Sequence, residues 1–191
     1  MSNAATKPME SRLALSARNG LTIIAGAALM ALAAKVQIPF WPVPMTLHTL
    51  AVMAFAVAFG PRIAVSIFLT YLAAGAVGLP VFAGSPERGI GLAYMVGPTG
   101  GYLLGYLIAS WLVGMLAAGK GTLGRVGAML AGMVPVYAIG LAWLALYVPA
   151  GQLLAVGLLP FVLGDLVKIG VVAAAGMVIP SAFARRKSKA E

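Results

Sequence analysis

The sequence predicts an all-α integral membrane protein, a bundle of six transmembrane helices with both termini in the cytoplasm, and three observations carry that prediction. Of the 191 residues, 62% are hydrophobic and only 9% are charged, against about 25% charged in a typical soluble domain. The apolar residues fall into runs bounded by polar or Pro/Gly breaks, at about 20–36, 46–60, 62–79, 99–118, 124–148 and 160–183. The net charge of +9 is concentrated: ten of the thirteen basic residues lie in four places, namely Lys7, Arg12 and Arg18; Arg62; Lys120 and Arg125; and Arg185, Arg186, Lys187 and Lys189. These places are alternate ends of the apolar runs, the positive-inside pattern of cytoplasmic loops. No contiguous basic face with interleaved aromatics is legible, so the expected surroundings are a lipid bilayer and not nucleic acid.

Taken in order, residues 1–19 read as a cytoplasmic N-terminal tail, 20–183 as a six-helix membrane domain and 184–191 as a basic cytoplasmic C-terminal tail. The first run, "LTIIAGAALMALAA", competes with a secretory signal. The long preceding region with Glu10, and continuation into Lys35 and a Pro-rich stretch, favour a retained helix. Within it Ala27 and Ala31 stand four apart, a spacing that lets another helix approach closely. That helix could belong to a partner membrane subunit or to the chain's own bundle. The second run is short of the roughly 20 residues that cross the hydrocarbon, so it is expected to tilt or to extend through "PVPM". Gly 24 and Pro 12 are compatible with such helices, because neighbouring segments can satisfy the freed backbone.

Several chemistries are excluded. With no cysteine, one histidine and scattered carboxylates, no metal site can be assembled. The stretch "GMLAAGKGT" nearly matches a phosphate loop, but Gly121 stands where Ser or Thr must ligand magnesium; "GKGTLG" follows a hydrophobic helix, not a strand. Both read as cytoplasmic turns. No nucleophile stands with a base and an orienting acid at readable spacing, so the chain is read as a non-enzyme without a cofactor.

The candidate site centres on "FVLGDLVKIGVV", where Asp165, the chain's one aspartate, and Lys168 interrupt the last apolar run. A spacing of three places them on one helix face, roughly 7 and 12 Å below Pro160 in the outer half of the bilayer. An unpaired charge at that depth is expensive, so both must face the bundle or a cavity. They read either as a structural ion pair or as a ligand site in which Asp165 accepts and Lys168 donates. The outer segments support a ligand site. "QIPFWPVPMTLHTL" has three prolines within six residues around Trp41, which predicts a stiff, extended lid. "GLPVFAGSPERGIGLAYMVGPTGGY" is glycine-rich and carries Phe82, Glu87, Arg88 and Tyr94. His48 reads as a hydrogen-bonded packing residue or a ligand contact. Two other readings remain open on the residues alone: a self-sufficient ion-coupled carrier or channel using Asp165, and an intramembrane enzyme pairing His48 with Asp165.

Together, "IPFWPVPMTLHTLAV", "GLPVFAG", "VGPTGGYLLGY" and "LGDLVKIG" resemble the BioY family, the biotin-specific substrate-binding components of energy-coupling factor (ECF) transporters. The resemblance covers about residues 20–182. It implies a six-helix protein of the bacterial cell (inner) membrane that captures biotin from outside, with import energised by a transmembrane coupling subunit and ABC ATPase subunits. Asp165 and Lys168 fall on the family's "GD-x-x-K" motif near the ligand head group. Trp41 and Thr46 fall on the first-loop motif, and Phe82 and Tyr102 on the second-loop motifs. The chain departs in having His48 where the family often has Gln, and in the charged "SPER" insertion. A ureido ring presents N–H donors and one carbonyl, which an aspartate and a lysine on one face can answer. Trp41, Phe82 and Tyr94 could line the apolar part, and Arg88, Lys35 or backbone N–H groups could meet the valerate carboxylate.

Overall fold

Backbone N–H and C=O groups find no water in hydrocarbon, so a chain this apolar folds as helix. The computed structural model describes residues 7–178, with side chains for residues 16–177. The basic cluster Arg185, Arg186, Lys187 and Lys189 lies outside the described residues, as do the side chains of Lys7 and Arg12. The elements in order are α1 (Lys7–Lys35), β1 (Gln37–Ile38), β2 (Met45–Thr46), α2 (His48–Ala76), α3 (Gly91–Met95), α4 (Gly100–Leu116), α5 (Thr122–Leu144), α6 (Ala150–Gly157) and α7 (Leu159–Val178). Among the described residues, four stretches are long and apolar enough to cross a membrane: Ser16–Lys35, His48–Ala76, Thr122–Leu144 and Ala150–Met177. Helix α4 is apolar but shorter.

Helix α2 is not a single rod. The ring Nε2 of His48 lies 2.9 Å from the Tyr71 hydroxyl, whereas 23 residues of straight helix would hold them roughly 35 Å apart. The chain reverses at Gly60, whose φ of 77° lies in the region that glycine tolerates, and Pro61 then opens the second arm. The arms, 48–59 and 61–76, correspond to the two runs that the sequence separates at 60–62. Gly114 of α4 packs directly on this turn, where a Cβ would stand 2.5 Å from the Pro61 nitrogen.

Glycine also sets the closeness of α4 and α5. A Cβ at Gly105 would fall 2.6 Å from the Val136 Cα, and one at Gly140 would fall 2.5 Å from the Tyr102 ring. Small residues supply this packing where the lipid gives apolar side chains no reason to prefer each other. In α1 the small-residue stripe is largely used internally. Ala27 is 8% exposed within the chain's own core, Ala31 packs half-buried against that core, and Gly26 abuts Ile67. The expected partner contact at Ala27 is therefore corrected: its side chain is buried within the chain's own core.

Two further expectations change. Loop one is not extended: β1 and β2 pair antiparallel, Gln37 with Thr46 and Ile38 with Met45, so the prolines turn the segment back on itself with Trp41 near its tip. The break between the fifth and sixth apolar runs, residues 149–159, contains helix α6. The break between α6 and α7 falls at Leu158 (φ −128°, ψ −61°), and the Tyr102 hydroxyl donates to the Gly157 carbonyl at 2.7 Å.

Candidate functional site

Asp165 and Lys168 share one face of α7, turned into the bundle, and both are buried. Lys168 Nζ donates to Asp165 Oδ1 at 2.9 Å and to the Thr46 carbonyl oxygen at 2.7 Å. The Tyr137 hydroxyl donates to Asp165 Oδ2 at 2.7 Å. The pair thus belongs to a network joining α7, loop one and α5, above which a cavity opens. Loop one contributes Met45 and Thr46 to its wall, α2 His48 and Thr49, and α4 Tyr102 and Tyr106. Tyr137 and Val136 of α5 and Phe161 of α7 close the remaining side. The wall is aromatic and aliphatic, with its charges gathered at one end, the arrangement of a small-molecule site that orients an apolar ligand by a few polar atoms.

Counting hydrogen-bond capacity shows what this end can still bind. A carboxylate offers about four lone-pair positions and an ammonium three N–H donors. Lys168 and Tyr137 each use one acceptor position of Asp165, one on each oxygen. Asp165 and Thr46 use two of the Lys168 donors. What remains is an acceptor position on each carboxylate oxygen and one ammonium donor.

A second pocket lies outside the first and shares Tyr94 and Thr99 with it; Trp41, Pro42, Glu87, Arg88, Gly97 and Pro98 complete it. Burial pushes the Tyr94 phenol above its ordinary pKa, against the pull of a hydrogen bond with Thr99 and the charge of Arg88. Arg88 donates to the Phe40 and Pro42 carbonyls at 2.8 and 3.0 Å and sits 5.4 Å from the Trp41 ring centre. Lys35 makes the reciprocal contact, donating to the Phe82 and Ser85 carbonyls at 3.0 Å each. Loop two is thus fastened by cations at backbone oxygens, to loop one through Arg88 and to the end of α1 through Lys35.

Of the residues singled out in the sequence, Asp165, Lys168, Thr46, His48, Tyr94 and Tyr102 line the inner cavity, and Trp41 and Arg88 line the outer pocket. Phe82 lines neither. It is fully buried, stacked on Tyr94 at 4.7 Å and edge-on to Tyr71 at 5.5 Å, in a space kept by Gly75. Its expected role as lining is corrected to support for Tyr94. His48 has both ring nitrogens engaged, Nδ1 with the Thr46 hydroxyl at 3.1 Å and Nε2 with Tyr71, and neither reaches Asp165. The pairing that an enzyme reading needs is not formed. Lys35 and Arg88, candidates for a ligand carboxylate, are engaged by loop carbonyls, Lys35 outside both pockets. The sequence reading missed Tyr137, Tyr106 and Thr49. A tyrosine within an apolar run was the available signal, since a buried phenol needs a partner.

The family model described as "BioY family" matches residues 5–185. The chain is 38% identical over 148 residues to the "Biotin transporter BioY" of Thermotoga maritima, covering 76% of this chain and 86% of that protein. It is 36% identical over 141 residues to the "Probable biotin transporter BioY" of Pyrococcus horikoshii, covering 74% and 83%. Its fold is similar to the crystal structure of the S-component for biotin from an ECF-type ABC transporter, with a TM-score of 0.74 over 91% of this chain and 92% of that one, at 22% identity. The extent of the family match and the identity to these relatives place the protein: the chain belongs to the BioY family.

Proposed function

We propose that this chain captures biotin from outside the cell membrane and serves as the substrate-binding component of an ECF transporter. The observation that carries the reading is the hydrogen-bonding capacity left at Asp165 and Lys168: two acceptor positions and one donor. A ureido ring offers two N–H donors and one carbonyl acceptor. The carboxylate would take the N–H groups through charge-assisted bonds and Lys168 would donate to the carbonyl. The thiophane ring would lie against Tyr102, Tyr106 and Phe161, and the valeryl chain would run past Tyr94 and Thr99 into the outer pocket. There Arg88, with donors beyond the two used by Phe40 and Pro42, would meet the carboxylate. Asp165 already has a cation 2.9 Å away, which favours this reading over a sodium or proton site.

The same reading takes α1, the two arms of α2, α4, α5 and α6–α7 as six crossing segments, with both termini in the cytoplasm and residues 1–19 and 184–191 as flanking tails. The arms of α2 span roughly 18 and 24 Å, so they would cross together with their adjoining loops. Energy would come from a transmembrane coupling subunit and ABC ATPase subunits in a bacterial inner membrane. The half-buried Ala31 is the part of the α1 stripe still open to such a partner. Calorimetric titration of detergent-purified protein with a panel of vitamins tests the ligand: biotin should bind without ATP, and well-folded protein that binds another vitamin instead would remove the assignment.

A further inference from the structure

We infer that Tyr137 is a positioning residue for the ligand, acting through Asp165; the inference rests on the biotin reading and deepens it. The last side-chain torsion of an aspartate is broad, so a single bond from Lys168 to Oδ1 does not by itself fix the plane of the carboxylate. The Tyr137 hydroxyl supplies the second anchor, on Oδ2, from a different helix. With each oxygen held by one protein donor, the remaining lone pairs point in set directions.

The anchor itself is rigid. Helices α4 and α5 pack closely beside it, where a Cβ at Gly105 would stand 2.6 Å from the Val136 Cα and 2.8 Å from the Pro135 carbonyl oxygen. Tyr137 is the next residue along α5, and its side chain also forms part of the cavity wall. Its phenol therefore reaches Asp165 from backbone that has no room to shift towards α4. Lys168 has a comparable second tether at the Thr46 carbonyl. The two groups that would read a ureido ring are thus each held by one bond to the other and one bond to a separate element.

Replacing Tyr137 by Phe removes the hydroxyl and keeps the ring. Biotin affinity of the purified full chain should fall on the order of tenfold, the value of one hydrogen bond to a charged group, while the melting temperature without ligand stays close to wild type. Because the effect passes through Asp165, the Tyr137→Phe/Asp165→Asn double variant should bind about as weakly as Asp165→Asn alone, whereas independent contributions would multiply. Unchanged affinity in Tyr137→Phe, multiplying losses in the double variant, or a fall in melting temperature that accounts for the whole affinity loss would each overturn the inference. Folded wild-type protein that takes no biotin would remove the ligand reading itself, a result distinct from wild-type binding that Tyr137→Phe leaves intact.

Discussion

Two groups of charges in this protein are satisfied in different ways. Asp165 and Lys168 are buried side by side on one helix, three residues apart, and neutralise each other. Lys35 and Arg88 lie at the mouth and bond to neutral backbone carbonyls 46 to 50 residues away in sequence. The difference follows from depth. Within hydrocarbon an ion without a counter-ion is costly, whereas near water a cation keeps part of its hydration and can be used as a fastener between loops. The deep pair should therefore control stability and binding together, and the mouth cations should control how firmly the loops close.

The contrast can be broken most severely at Lys168. Lys168→Met would leave Asp165 buried without its cation, and loss of one partner from a buried pair costs about 3 to 5 kcal/mol. Thermal melting of the purified variant should show that loss, and biotin binding should go with it. A near-normal melt would mean that water or another group reaches Asp165, and the two sets of charges would then differ less than their depths suggest.

Ala27→Leu tests the corrected face of α1. Overfilling a packed contact typically costs 1 to 3 kcal/mol, so this substitution should lower the melting temperature whether or not a partner subunit is present. A protein as stable as wild type but defective only in energised uptake would return Ala27 to the partner surface.

The mouth should respond least. Lys35→Met removes two hydrogen bonds, each worth about 0.5 to 1.5 kcal/mol, to carbonyls that can turn to water, so the melt should change by less than their sum. Stopped-flow binding should instead show faster biotin release, because the strap between α1 and loop two is gone. Release at the wild-type rate would mean that the strap does not govern loop closure.

This division also explains what could be read from the sequence. Asp165 and Lys168 were legible because a spacing of three in an apolar helix leaves few alternatives. The reversal in α2 was legible as a Gly60–Pro61 break between two apolar runs. What was not legible depends on pairs distant in sequence. Nothing local to Arg88 indicates that Phe40 and Pro42 face it, and nothing local to Phe82 distinguishes a ring that lines a cavity from one that supports Tyr94. The inward turn of Ala27 likewise depends on how α1 packs against α2. The ribbon in loop one was missed because prolines predict stiffness but not the direction in which the chain turns.

The central claim, that Asp165 serves a ligand and not only the fold, is tested most directly by measuring biotin affinity and melting temperature on the same purified Asp165→Asn protein. Asparagine keeps the shape, removes the charge and replaces an acceptor with a donor. The account predicts affinity lower by about 10- to 100-fold, the value of a charge-assisted hydrogen bond, together with a lower unliganded melt, since Lys168 loses its buried counter-ion. A strongly destabilised protein that still binds biotin with near wild-type affinity would contradict it.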